Sequence, residues 1–314
     1  VVVRRVHLVD WLRHTVDNPN GADRSRLEAI CALLDRPHRE LDYGRQLISL
    51  GDNMGERILI NGHPTWVEQR GEGSDTVVLL HGGLSDSDAL LEPLSAPLEE
   101  HYRVVAFDRR GHGHTADSEA PFHYDDMVSE TIGVLEQVVG GQAHLVGWSD
   151  GGIVALLVAL RRPDLVGRLV AIGANFHHEG VLPLDFPPDS PVVAMMAQHY
   201  AERSPDGADH FGIVAGKFMT MATTEPTLTV DDLGDVTAPT LVMVGDDDVI
   251  TLAHTCALYE SLPAGQLSVV PGASHALPIE RPDETARIIL DFLAADVPPA
   301  TFMPVRRAAG SPSD

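Results

Sequence analysis

The stretch that most restricts this chain is residues 145–152, Leu-Val-Gly-Trp-Ser-Asp-Gly-Gly, where an apolar run breaks at a glycine-flanked serine and resumes as a helical pattern. The pattern Gly147-x-Ser149-x-Gly151 lets a strand turn sharply into a helix, because small neighbours tolerate a strained, closely packed serine backbone. Such a turn holds the hydroxyl clear of the sheet, which makes Ser149 a candidate nucleophile. The same five residues also serve as a plain tight turn, so the remainder of the chain has to decide between the two readings.

The flanking sequence has the texture of an α/β protein. Ile58-Leu59-Ile60, Asn61-Gly62 and Thr65-Trp66-Val67-Glu68 read as a hairpin about an Asn-Gly turn. Thr76–Leu80 is a continuous apolar run, as expected of a strand buried on both faces. Tyr102–Asp108, Ala143–Val146, Leu169–Ile172, Pro239–Gly245 and Gln266–Val270 repeat that plan. Helical patterns at Met127–Val139, Ile153–Arg161, Leu252–Leu262 and Pro282–Ala294 alternate with them. Alternation of this kind predicts βαβ units and a mostly parallel central sheet, with its functional groups at the C-terminal ends of the strands. The glycine-rich and polar motifs fall at those ends.

Three segments stand outside the alternation. Residues 1–56 read as a helical extension: Val6, Val9, Leu12 and Val16, then Leu27, Ile30, Cys31 and Leu34, recur at three- and four-residue steps on either side of Asp17–Gly21. Their apolar faces must pack on something, either the main domain, a second copy in a homodimer, or the active site as a lid. Residues 176–236, rich in Pro, Asp, His and Met, carry helical pieces at Val192–Arg203 and Phe211–Thr220 and read as a cap inserted into a core of 57–175 and 237–296. Met195, Met196, Met219 and Met221 are expected in the core of that cap, with some facing substrate. Residues 297–314 have the composition of a disordered tail.

Charge and cysteine content exclude several function classes. The 22 Lys and Arg against 46 Asp and Glu leave a net charge of −24, which repels nucleic acid and anionic membranes and favours a small-molecule substrate, a cationic one mildly. The apolar run Ile153–Leu160 falls far short of the roughly 20 residues a spanning helix needs, and Val-Val-Val-Arg-Arg at the start lacks a signal-peptide core. Cys31 and Cys256 are the only cysteines, which provides no disulfide framework and no Cys-x-x-Cys metal site and fits a cytoplasmic protein.

A serine hydroxyl becomes a nucleophile only when a base takes its proton and a third group orients the base. Two later strand ends supply both: Asp246-Asp247-Asp248 after Thr240–Gly245, and His275 after Val269-Val270-Pro271-Gly272-Ala273-Ser274. Chemistry of this type calls for no cofactor and no metal.

With His81-Gly82-Gly83, Asp108-x-Arg110-Gly111-x-Gly113, Gly147–Gly152, Gly245-x-x-Asp248 and Gly272-x-x-His275 in hand, residues 57–294 resemble the α/β-hydrolase superfamily. The resemblance implies a Ser149, Asp248, His275 triad, with the acid three residues after the strand-ending glycine. It also implies an oxyanion hole built from the backbone N–H groups of Gly83 and Asp150. Gly-Trp-Ser-Asp-Gly-Gly followed by Ile172-Gly173-Ala174-Asn175 resembles the valacyclovirase (biphenyl hydrolase-like) branch, which implies that Asp150 binds the ammonium of an amine-bearing acyl group. Asp150, Trp148 and Leu84 are accordingly the candidate substrate contacts.

Each of these residues has a plainer alternative. Asp150 could simply favour the N-terminus of the helix it opens, and Trp148 could pack beneath the turn. His81 reads as a loop-shaping residue, and His177-His178-Glu179 as exposed cap residues, there being no third spaced ligand. Asp246 and Asp247 read as solvated neighbours of the triad acid. The expected activity is carboxylic ester hydrolysis through an acyl-enzyme. Amide, lactone or C–C hydrolysis, perhydrolysis and a slow-turnover ligand receptor use the same triad. Haloalkane and epoxide opening are disfavoured, because they need a carboxylate at position 149.

Overall fold

The computed structural model describes residues 55–183, 187, 190–297, 299 and 301–303. The helices expected within the first 56 residues lie, apart from residues 55 and 56, outside the described residues, as does the tail from 304. Eight strands form one sheet: β1 (Glu56–Ile60), β2 (His63–Arg70), β3 (Thr76–Leu80), β4 (Arg103–Phe107), β5 (Ala143–Trp148), β6 (Val166–Ile172), β7 (Thr240–Asp247) and β8 (Gly265–Ser274). Their order is β1-β2-β4-β3-β5-β6-β7-β8. The first two strands pair antiparallel, with Ile60 opposite His63 across the Asn61-Gly62 turn, and the six from β3 to β8 run parallel.

Period-two alternation divides the sheet's side chains between two cores. Val78 and Leu80 of β3, Val105 and Phe107 of β4 and Leu145 of β5 point to one face. There they meet α2 (Tyr124–Val134, continued by a π-helical turn to Val139) and α3 (Asp150–Arg161) through Met127, Val128, Val154 and Val158. Leu258 of α7 (Leu252–Ser261) joins the same core. Val77, Leu79, Val104, Ala106 and Val146 point to the other face, against α1 (Asp88–Glu99) and α9 (Pro282–Ala294).

Helix α1 has no counterpart in the sequence reading, because Pro93 and Pro97 stand inside it. A proline normally ends a helix by removing a backbone donor and crowding the preceding turn. Here Leu90, Leu91, Leu94 and Leu98 are all fully buried, and that burial holds the helix despite both prolines.

Between β6 and β7 the chain forms α4 (Pro191–Arg203), α5 (Phe211–Ala222) and the short α6 (Val230–Leu233). The four methionines expected in this segment's core separate in burial. Met221 is buried and Met196 packs partly buried on the core, whereas Met195 and Met219 are exposed on outward faces of their helices. A four-residue helix α8 (Leu277–Glu280) follows β8. No helix among the described residues is long and apolar enough to cross a membrane.

Candidate active site

Strand order explains why distant motifs meet. The strand order reverses at β3, which lies between β4 and β5, so the loops after β3 and β5 open into one crevice. Leu80 pairs with Gly147; the His81–Leu84 loop begins one residue beyond Leu80, and Ser149 follows two residues beyond Gly147. The serine sits in a strained conformation, φ 55° and ψ −120°, between β5 and α3. Its neighbours have to be glycine: a Cβ on Gly151 would strike the Leu80 carbonyl, and one on Gly147 the backbone of Gly151.

His275 and Asp248 arrive from the ends of β8 and β7. Ser149 Oγ lies 3.0 Å from His275 Nε2, and His275 Nδ1 lies 2.8 Å from Asp248 Oδ1. The Asp248 side chain is 1% exposed, and its Oδ1 also accepts the Ile250 N–H at 2.9 Å. A carboxylate oxygen accepting one backbone donor takes its second from Nδ1–H, which leaves Nε2 free to accept the serine proton. To reach Ser149 the histidine passes over the end of β6, where a Cβ on Gly173 would stand 3.0 Å from His275 Nδ1.

The three consecutive aspartates separate in role. Only Asp248 meets the histidine. Asp246 is exposed, as expected of a solvated neighbour, and also accepts the N–H groups of Gly272 (2.7 Å) and Ala273 (3.3 Å), tying β7 to the end of β8 just before His275. Asp247 is exposed. Trp148 is anchored on the same loop, its indole N–H donating to the His275 carbonyl at 2.7 Å.

The loop after β3 runs beside the serine: a Cβ on Gly82 would stand 3.4 Å from Ser149 Cβ. Asp150 opens α3, so its N–H lacks an intrahelical acceptor. Its side chain does not cap the helix in solvent. It is 4% exposed, Oδ1 accepts the Tyr124 hydroxyl at 2.9 Å, and Oδ2 has no partner. Burial raises the Asp150 carboxyl above the usual range, and the Arg109 charge and the Tyr124 hydroxyl oppose that shift. Leu84, with φ 52°, follows the loop and lines a small crevice with Asp86, His112, His199 and Tyr200.

These features agree with what the chain is similar to: the model of the Alpha/beta hydrolase family matches residues 77–288. The chain belongs to that family. A protein from Variovorax paradoxus named "Putative carbamate hydrolase RutD" is 32% identical over 74% of this chain and 96% of its own length. Human "Serine hydrolase BPHL" is 25% identical over 76% of this chain and 85% of its own, in line with the biphenyl hydrolase-like resemblance. Among solved structures, a serine hydrolase involved in carbazole degradation, CarC, superposes with a TM-score of 0.64 at 23% identity, covering 76% of this chain and 98% of its own.

Several residues of this hydrolase that shape the site carry weak sequence signals. Asp108 is fully buried and joins two loops, accepting Ser87 N–H at 2.8 Å and His114 N–H at 2.7 Å. Phe218 of α5 packs on Gly83 so closely that a Cβ there would overlap its ring, and the same Cβ would stand 2.7 Å from Asp150 Oδ2. Helices α4 and α5 are held down by acids of the core loops. Asp86 accepts from His199 (2.6 Å) and Arg203 (2.9 Å), and Asp117 from His210 (2.8 Å) and Lys217 (2.7 Å). The partners in these pairs are about 90 to 115 residues apart, so no local pattern marks them. His177 and His178 stack at 4.5 Å, and no group of three or more potential metal ligands forms among the described residues.

Proposed function

We propose that this hydrolase cleaves carboxylic esters through an acyl-enzyme, with Ser149 as nucleophile, His275 as general base and Asp248 as its orienting acid. The observation that carries this reading is the continuous hydrogen-bonded chain Ser149–His275–Asp248, at 3.0 and 2.8 Å, at the C-terminal ends of β5, β7 and β8. His275 Nε2 takes the serine proton as Oγ attacks the carbonyl, and the buried Asp248 carboxylate stabilises the imidazolium so formed. The backbone N–H groups of Gly83 and Asp150 receive the negative charge of the tetrahedral intermediate. Removal of one such donor typically slows a hydrolase about 100- to 1,000-fold. His275 returns the proton to the leaving alcohol, then activates the water that releases the acid. Turnover of p-nitrophenyl esters should vanish in Ser149→Ala, and equal rates in the two proteins would sink the assignment.

Asp150 supports a preference for amine-bearing acyl groups, since its buried Oδ2 has no partner and lies against Gly83 and the Phe218 ring. An ammonium there would complete its hydrogen bonding, although Arg109 already offsets part of the charge. Asp150→Asn should then impair aminoacyl esters far more than plain short-chain esters; a uniform loss would assign the side chain to shaping the turn instead. Carbamate hydrolysis is the second reading, favoured by the similarity to the RutD relative. Comparing aryl carbamates with aryl acetates per active site separates the two.

A further inference from the structure

Arg109 is the largest side chain fully buried in the described fold, at 1% exposed, and the triad mechanism does not use it. A guanidinium taken out of water is costly unless its surroundings compensate it or need it. Its Nη2 donates to the Gly82 carbonyl at 3.1 Å and lies 3.2 Å from His81 Nδ1, whereas Nε and Nη1 have no partner. The carboxylate acting on it most strongly is Asp150.

The contacts around His81 fix what that ring does. The Arg109 backbone N–H donates to His81 Nε2 at 3.1 Å, so Nε2 is the unprotonated nitrogen and the ring proton sits on Nδ1. His81 Nδ1 lies 2.7 Å from the Gly82 carbonyl and therefore donates to it. Burial, and after it the Arg109 charge, hold His81 well below the usual histidine range, so the ring is neutral. Two donors, one of them charged, thus converge on a single carbonyl oxygen.

That carbonyl belongs to the peptide whose other end is the Gly83 N–H. In a trans peptide the C=O and N–H point in opposite directions across one plane, so fixing one aims the other. We propose that Arg109 is a positioning residue for the oxyanion hole: with His81 it clamps the Gly82 carbonyl and so directs the Gly83 N–H at the developing oxyanion. The inference rests on the assignment of Ser149 and Gly83 made above. It also accounts for a charge kept in this position: a guanidinium behind the loop grips the carbonyl more tightly than a neutral donor and places positive potential where the negative charge forms.

The test is steady-state hydrolysis of p-nitrophenyl acetate per active site titrated with a fluorophosphonate, in the native chain, Arg109→Gln, Arg109→Lys and His81→Phe. Inhibition by a trifluoromethyl ketone, a tetrahedral mimic, is measured alongside. In Arg109→Gln, kcat should fall about 10- to 100-fold, because the donor is misaimed rather than removed. KM should stay within about twofold and the ketone should weaken by the same factor as kcat, since the lost interaction forms only in the transition state. Arg109→Lys, which keeps a charged donor, should recover most of kcat. A purely structural role would lower the titrated fraction and the thermal midpoint while leaving kcat per site unchanged, and that result in folded Arg109→Gln overturns the proposal. Should Arg109→Gln fail to fold, His81→Phe decides: unchanged kcat per site overturns the clamp, and a fall matched by the ketone supports it. If the native chain is not labelled at Ser149, the hydrolase reading and the clamp fall together; a labelled, active native chain with an indifferent Arg109 removes the clamp alone.

Discussion

His112 offers a direct measure of what a buried neutral histidine costs this fold in acid. Its ring is 1% exposed, stacked on Phe122 with centroids 5.5 Å apart, and its Nδ1–H donates to the Arg110 carbonyl at 3.0 Å. Nε2 is buried without a partner, so a proton added there would enter an apolar setting. Burial above all, and then the Arg109 charge, push its pKa down to about 4, against about 6.5 in an unfolded chain. The folded value is depressed, so below about pH 6.5 the unfolded state binds a proton that the folded state refuses, and stability falls until the folded pKa is reached. The stability lost to this one group between pH 7.5 and 4.5 is roughly 2.5 kcal/mol. His112→Phe keeps the stacking and removes the titration, at a pH-independent cost of about 1 kcal/mol for the hydrogen bond to Arg110. Urea unfolding of both proteins at the two pH values, followed by tryptophan fluorescence, measures the difference. The native chain should lose about 2 to 3 kcal/mol more than the variant over that interval. Equal losses would refute the reasoning and mean that the ring protonates in place.

Three further outcomes follow from the packing around the site. Phe218→Ala removes the ring that covers Gly83 and should shift acyl preference toward bulkier groups by about 10-fold in kcat/KM, a change of the size a few methylenes produce in an apolar pocket; an unaltered chain-length profile would place the ring outside the acyl site. His123 is paired with Glu225 at 2.6 Å, and this hydrogen bond raises its pKa. The pair therefore stabilises the fold fully below about pH 6.5 and loses that effect as pH rises through the folded value. The thermal-midpoint advantage of the native chain over Glu225→Gln should shrink from pH 6 to pH 9, leaving the pH-independent bond from Tyr124 N–H, and a constant difference would count against it. Gly151→Ala should abolish Ser149 labelling by a fluorophosphonate, because the added methyl meets the Leu80 carbonyl and forces the turn open; normal labelling would show that the elbow yields.

The family was legible because each of its motifs rests on contiguous residues. A buried parallel strand must be apolar along its length, a strand-to-helix elbow needs small residues around its serine, and both requirements appear within eight positions. Thr76–Leu80, Ala143–Val146 and Pro239–Gly245 were recognisable for that reason, and they coincide with β3 and with the greater part of β5 and β7. Helix α1 was not, because its two prolines contradict the local pattern and only the burial of four leucines overrides them. The amphipathic patterns of residues 1–56 lie outside the described residues.

Which aspartate of three meets His275 was a matter of register in the sequence and became one of distance in the fold. The same holds for Asp150: local pattern allowed a solvated helix start or a substrate contact, and only the packing of Tyr124, Arg109 and Gly83 around it shows a buried carboxylate with one oxygen unpaired. Arg109 itself stands at the unspecified position of the Asp108-x-Arg110-Gly111-x-Gly113 motif, where the sequence assigns it no role. By itself the sequence determined the sheet, the elbow and the supply of a base and an acid, since those follow from backbone geometry and burial within single elements. The tertiary structure decided which charges are buried, which donors meet the Gly82 carbonyl and that Phe218 packs on Gly83, because those depend on side chains brought together across about 30 to 130 positions of chain, where no local periodicity reaches.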